Sequence, residues 1–304
     1  MPTARMHDGA SLDVQVWGEG PPIVVSVSTT VMEPEAAEQL RMWGADPELG
    51  RTLATGLAET GYRVITADYE GHLTDHPKPM TLTPDAVTAD LLAIADAGGA
   101  ERFAYYGYSW LALCGLQLAI RTDRLTGLAM GGYPPLGGPY AEMLAVTRTA
   151  HRMALANREH PPAPSTVEPG NWDSVPLDRT PEQTQQYVTL YEALRDFHER
   201  EALARLTVPR LAFAGSDDNI AYGPQWDDAK VPIAEGLRAN RDELVERGWT
   251  VELVPGTDHM SAMQAPVVLP ILRAWLVPNH RIPESPHPQS RVSGDSARAG
   301  RIGT

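Results

Sequence analysis

Apolar residues fall along this chain in two periods. Short apolar runs at Ile23–Val27 and Tyr62–Ala67 are too brief for helices, and the first is rich in β-branched side chains, which predicts buried strands; Phe103–Tyr106, Leu125–Met130, Val208–Ala214 and Val251–Val254 read as further strands. Between the first two runs, Leu49, Leu53, Leu57 and Ala58 recur at helical spacing within Pro47–Thr60, and Gly61 supplies the stop. A second helix is announced by Thr83 as N-cap and Pro84 in the first turn, with Val87, Leu91 and Ile94 as its apolar stripe. The segment Trp110–Ile120 is apolar all round, which fits a helix buried against a sheet. Near the start, Ala4–Val16 reads as two short strands about an Asp8-Gly9 turn, an antiparallel edge.

The alternation predicts an α/β protein: a mostly parallel sheet with helices on both faces. Residues from Tyr133 to Leu206 break the rhythm. Helices are expected over Tyr140–Arg158 and Pro181–Leu206, the second opened by a Thr180, Pro181, Gln183 capping box and carrying Tyr187, Leu190, Tyr191, Leu194 and Phe197 on one face, with a proline-rich loop from His160 to Asp178 between them. The expected organisation is therefore a core of residues 1–132 and 207–278, a helical cap insertion of residues 133–206, and a disordered tail of residues 279–304, where prolines and polar residues replace apolar periodicity.

Composition narrows the function. The 304 residues carry a net charge of −14 and a pI near 5.0. Nucleic acid and anionic membranes are poor partners for such a surface, since both require clustered Lys and Arg. Lys78 and Lys230 are the only lysines, a bias ascribed to GC-rich coding rather than to chemistry. The single cysteine, Cys114, forms no internal disulfide and sits in an apolar helix, where an inert core thiol is expected. Met1–Leu12 lacks a signal-like pattern and no run approaches the ~20 apolar residues of a membrane span, so a cytoplasmic protein is expected.

The chemistry gathers after strands. In Tyr105-Tyr106-Gly107-Tyr108-Ser109-Trp110 a serine stands between a predicted strand and a predicted helix, where a sharp turn lifts its hydroxyl above the strand ends. The segment resembles the nucleophile elbow of the α/β-hydrolase family, Gly-x-Ser-x-Gly, with Leu111 in place of the second glycine. Ala67–His72 resembles the Asp-x-x-Gly turn of that family, and Gly18–Val27 resembles its approach to the oxyanion loop. The resemblance spans roughly Leu12 to Leu276 and is weakest in the cap.

What the resemblance implies is a serine hydrolase with Ser109 as nucleophile. Ser216-Asp217-Asp218 follows Gly215, and the family places its acid three residues after such a glycine, which selects Asp218; Pro255–His259 resembles the family's histidine loop, which makes His259 the base. Asp217 and Asp258 are the neighbouring alternatives. A serine at the elbow disfavours the dehalogenases and epoxide hydrolases of the fold, which use aspartate there. Ester, lactone, thioester or carbon–carbon hydrolysis remains, beside non-hydrolytic lyase or cyclase chemistry and a ligand-binding relative. Where the family usually has His-Gly, this chain has Val27-Ser28. The expected oxyanion donors are the amides of Thr29 and Trp110, supplemented by the Ser28 and Thr30 hydroxyls. Trp110 and Tyr133 are expected to line the substrate pocket, whereas Tyr187, Tyr191 and Phe197 read as helix-packing residues. His72 and His76 have metal-ligand spacing, but Pro77 suggests a loop and no third ligand stands out, so neither metal nor cofactor is expected. The expected partner is a small-molecule substrate, with a homodimer left open.

Overall fold

The computed structural model describes residues 1–42, 44–160 and 177–279. Most of the proline-rich loop and of the expected tail therefore lies outside the described residues. The chain opens with β1 (Thr3–Arg5) and β2 (Ser11–Asp13), an antiparallel hairpin across the Asp8-Gly9 turn, followed by β3 (Gln15–Trp17). The hairpin stands apart as its own two-stranded sheet, and β3 supplies the antiparallel edge of the main sheet. Three strands thus occupy the stretch where the pattern predicted two.

Strand β4 (Pro22–Val25) leads through helices α1 (Pro34–Met42) and α2 (Leu49–Ala58) to β5 (Arg63–Thr66). Helices α3 (Tyr69–Asp75) and α4 (Pro84–Ala97) follow, then β6 (Phe103–Tyr108), α5 (Trp110–Ala119) and β7 (Leu125–Gly131). The chain next leaves the sheet for α6 (Tyr140–Glu159), α7 (Pro181–Ala193) and α8 (Glu199–Leu203) before returning as β8 (Arg210–Gly215). A small antiparallel pair, β9 (Ile220–Ala221) and β10 (Lys230–Val231), precedes α9 (Ile233–Ala239) and α10 (Arg241–Glu246). Strand β11 (Trp249–Val254), α11 (His259–Ala262) and α12 (Ala265–Asn279) complete the described chain.

The main sheet has seven strands in the order β11-β8-β7-β6-β4-β5-β3, with β3 antiparallel to β5 and the other neighbours parallel. Successive side chains of a strand point to opposite faces, and here both faces are apolar. Val24, Ile65, Phe103, Tyr105 and Ala212 pack with α4 and α5 through Leu91, Ile94 and Leu113. Their neighbours Ile23, Val25, Val64, Ala104, Tyr106 and Phe213 pack with α2 and α12 through Leu53, Leu57, Val268 and Leu272. This is the α/β-hydrolase fold, and α6 and α7, packed on each other, form a cap-like insertion between β7 and β8.

Caps set several boundaries. Thr83 accepts from the Ala86 amide to begin α4, and Thr180 and Gln183 close the expected reciprocal box at the start of α7. The predicted helix Pro181–Leu206, however, is broken after Ala193. Tertiary contacts override propensity there: the Phe197 ring packs 5.7 Å from that of Tyr140, and Glu199 accepts the Gly137 and Gly138 amides, both at 2.8 Å. The loop expected around His72 is instead α3, because Asp68 caps it by accepting from Gly71; Pro77 lies beyond the C-cap His76 and follows the helix without interrupting it.

Candidate active site

Ser109 occupies the one-residue junction between β6 and α5 with φ 56° and ψ −131°. A side chain rarely adopts positive φ, so the turn holds the serine in a strained conformation that its surroundings must fix. Its amide donates to the Gly131 carbonyl at 2.8 Å, which ties the turn to β7. The close approach falls at Gly107, where a Cβ would lie 2.3 Å from the Leu111 carbonyl oxygen. Leu111 therefore needs no glycine at its own position: its carbonyl faces Gly107 and accepts from the Tyr105 hydroxyl at 3.0 Å, while its side chain is buried in the core.

Asp218 and His259 arrive from the ends of β8 and β11. Gly215 lets the two loops meet, since a Cβ there would stand 2.1 Å from the Thr257 carbonyl oxygen, and the Asp217 amide donates to that same carbonyl at 3.0 Å. Asp218 is fully buried, and its carboxylate oxygens lie 2.9 and 3.0 Å from His259 Nδ1. On the other side of the ring, His259 Nε2 lies 3.1 Å from Ser109 Oγ. The structure thus brings together the three residues singled out in the sequence, although they are 150 and 41 positions apart. The alternatives lie elsewhere. Asp217 is exposed, and Asp258 caps α11 reciprocally with Ser261, whose hydroxyl and amide hold its carboxyl below the ordinary range.

Next to Ser109 and His259 lies a cavity of about 130 Å3. Cap residues Pro139, Met143 and Tyr191 form one side, Ile220, Tyr222, Val231 and Ile233 another, and Trp110 and Tyr133 complete the wall. Trp110 and Tyr133 sit where the sequence placed them. Tyr191 was read as a packing residue, yet it lines the cavity; sequence could not see this, because which face of α7 meets the site depends on the tertiary path of the cap. Ser28, Thr29 and Thr30 are not among the lining residues: Ser28 Oγ accepts from the Thr30 amide at 3.4 Å, and Thr29 is buried.

Two supporting residues escaped sequence reasoning. Tyr108 donates its hydroxyl to the His259 carbonyl at 2.9 Å, and its phenol is pushed up by burial and then by the nearby Asp218 carboxylate, so it remains a donor. Glu70 accepts from Trp110 Nε1 at 2.6 Å, which fixes the indole, itself stacked on Tyr69 and edge-on to Tyr187. Surrounding protein raises the Glu70 carboxyl.

Other groups have plainer roles. The His72 and His76 rings are 5.0 Å apart, burial lowers the His72 imidazole, and among the described residues no three His, Cys, Asp or Glu side chains cluster to hold a metal ion. Cys114 is buried and its thiol is pushed up by that burial. A larger groove of about 690 Å3, with Arg102, Arg121, Asp123 and Arg205 on its rim, opens near the start of β7 and contains neither Ser109 nor His259. No described helix is long and apolar enough to cross a membrane.

Comparison with solved structures supports the fold. A carboxylesterase of the thaumarchaeon Nitrososphaera gargenis superposes with a TM-score of 0.58 at 15% identity, covering 91% of this chain and 98% of that one. An enol-lactonase of Burkholderia xenovorans gives 0.55 at 23% identity over 91% and 100% of the two chains. A bromoperoxidase of Bacillus anthracis gives 0.57 at 19% over 90% and 98%. No protein-family profile and no curated protein matches the sequence.

Proposed function

We propose that this protein is a serine hydrolase that cleaves a small ester-like substrate through an acyl-enzyme, with residues 1–132 and 207–278 as catalytic body and 133–206 as cap. The observation that carries this reading is the continuous hydrogen-bonded chain from buried Asp218 through His259 to Ser109 Oγ, whose hydroxyl opens on a cavity. A serine hydroxyl is a weak nucleophile at neutral pH and needs a base. Asp218 accepts the Nδ1 proton of His259, which leaves the Nε2 lone pair directed at Ser109. As Oγ bonds to the substrate carbonyl carbon, Nε2 takes its proton and then delivers it to the departing alkoxide, so the alcohol leaves and the acyl group stays on Ser109. Water, deprotonated by the same imidazole, attacks the acyl-enzyme; the acid is released and Ser109 regains its proton.

Charge on the carbonyl oxygen requires fixed donors. The Trp110 amide opens α5, where first-turn amides have no intrahelical acceptor, and it is the first donor in this reading. The amide of buried Thr29, in the loop after β4, is the second, with the Ser28 and Thr30 hydroxyls beside it.

A fluorophosphonate tests the proposal. Mass spectrometry should find the adduct on Ser109, Ser109→Ala and His259→Ala should each abolish it, and an activated acyl ester should give a burst of product. An unmodified Ser109 in folded protein at neutral pH removes the acyl-enzyme and leaves non-hydrolytic chemistry on the same fold.

A further inference from the structure

Three contacts hold the Trp110 side chain, and they are unlike in kind. Its indole stacks on Tyr69 with ring centroids 6.3 Å apart and meets Tyr187 of the cap edge-on at 5.4 Å, while Nε1 donates to Glu70 Oε1 at 2.6 Å. Ring contacts of this kind are individually weak and tolerate sliding and tilting. A hydrogen bond to a carboxylate is stronger and directional, and an indole has one N–H to give. Glu70 therefore sets where the ring lies on its two aromatic neighbours.

Glu70 itself projects from a fixed backbone. Asp68 caps α3 by accepting from the Gly71 amide at 2.9 Å, and buried Tyr69 donates its hydroxyl to Asp90 at 2.8 Å, so the residues on either side of Glu70 are pinned. The helix dipole favours a carboxylate at this first-turn position. The start of the cap helix bears on the same contact, because the Arg179 guanidinium lies near both Tyr187 and Glu70.

The anchored indole is a wall of the cavity beside Ser109. Met143, Ile220, Val231 and Ile233 also line that space of about 130 Å3, so it recognises hydrocarbon by fit, and fit depends on where each wall stands. A tilted ring would reshape the cavity and leave the hydroxyl, imidazole and carboxylate where they are: the Ser109 amide is tied to Gly131, and His259 to Tyr108 and Asp218.

We infer that Glu70 is a positioning residue for substrate selectivity: acting through the Trp110 indole, it holds the cavity wall where a substrate whose short hydrocarbon chain fills the space is preferred over one that leaves it empty. The anchoring rests on the structure alone, and its effect on selectivity rests on the hydrolase reading.

The kinetic test compares p-nitrophenyl butanoate with the acetate, which share a leaving group and differ by two methylenes. After division by their rates with hydroxide, wild-type kcat/KM should favour the butanoate. Glu70→Ala should lower that preference about fivefold, the equivalent of one lost hydrogen bond, and Glu70→Gln, which keeps an acceptor oxygen, should restore most of it. In a Trp110→Phe background, where no N–H remains, Glu70→Ala should change the preference no further. No butanoate preference in wild type, a preference unmoved by Glu70→Ala, or an equal fall with and without the indole N–H overturns the inference. Glu70→Leu, which also lacks an acceptor, takes the place of the alanine variant if that one fails to fold.

The second readout needs no turnover. In protein labelled with fluorotryptophan, the Trp110 signal of the fluorine NMR spectrum is the one lost in Trp110→Phe. Glu70→Ala should shift it and Glu70→Gln should leave it near its wild-type position; a signal indifferent to Glu70→Ala also overturns the inference. Fluorophosphonate labelling of Ser109 reports the hydrolase reading separately. If labelling fails while the Trp110 signal follows Glu70, the anchored wall stands in a site without acyl transfer; if labelling succeeds and the preference does not follow Glu70, the selectivity role falls and the hydrolase remains.

Discussion

Two histidines in this molecule are bound almost identically, and the proposed function gives them different ends. His259 Nδ1 lies 2.9 Å from Asp218, and His7 Nδ1 lies 2.9 Å from Asp90; in each pair the imidazole side chain is 15% exposed and the carboxylate 0%. Each Nε2 then meets a hydroxyl at 3.1 Å, Ser109 Oγ in one case and Thr81 Oγ1 in the other. Distances alone therefore do not distinguish them. What differs is the hydroxyl's setting. Ser109 is held at positive φ on the junction of a central strand and a buried helix, beside a cavity, whereas Thr81 sits on an exposed turn. Asp90 also accepts from the His7 amide at 2.6 Å and the Tyr69 hydroxyl at 2.8 Å, so it binds the N-terminal hairpin to α4 and α3. A hydroxyl–imidazole–carboxylate chain is a reactive site only where the backbone presents the oxygen to a substrate, and elsewhere it is a clamp.

Substituting the two histidines should separate the roles most sharply. His259→Ala is expected to lower kcat for an activated ester by about a millionfold, and His7→Ala to leave kcat per folded molecule within about threefold, as steady-state assays would show. Next in size, Asp218→Asn should cost about 10,000-fold in kcat by favouring the wrong imidazole tautomer, while Asp217→Asn, at an exposed position, should be nearly silent; equal losses would mean that the turn is registered differently. The clamp should respond in stability: urea unfolding of Asp90→Ala should show a loss of about 2–5 kcal/mol, because the buried Tyr69 hydroxyl and the His7 amide and Nδ1 would lose their acceptor, with turnover of the folded fraction unchanged.

A smaller effect concerns Asp258. Asp258→Ala should remove about 1 kcal/mol by uncapping the helix that carries His259. Ser261 holds the Asp258 carboxyl below its ordinary value of 3.8, so folding favours the charged form. That contribution is complete above the unfolded-state pKa and is lost as pH falls through the depressed folded value. The stability gap between wild type and Asp258→Ala should be constant above about pH 5 and shrink on further acidification, which denaturation at a series of pH values would reveal.

Strands and the turns after them were legible from sequence because their information is local. Ile23–Val25 and Phe103–Tyr106 are apolar on both faces, and Thr83 and Thr180 announce helices by side chains that act within three residues. Ser109, Asp218 and His259 were accessible from equally local signals, each standing in a turn just after a predicted strand. Features made by distant partners were hidden. The break after Ala193 depends on Glu199 meeting Gly137 and Gly138 across 62 and 61 positions, and the anchoring of His259 by Tyr108 spans 151. The short helix at Tyr69–Asp75 was locally encoded by Asp68 and was missed because Pro77 was read as a barrier when it only follows the end.

The conformation of Ser109 sets an opposition between durability and reactivity at a single backbone position. Positive φ is comfortable for glycine and unfavourable for other residues by about 1 kcal/mol or more, so the proposed nucleophile is among the residues least suited to the backbone it occupies. Ser109→Gly should therefore melt at a higher temperature than Ser109→Ala and match or exceed wild type, while being chemically inert. Selection for thermal robustness alone would drift toward silencing the enzyme, and a laboratory library ranked only by melting temperature would enrich its dead members at this position.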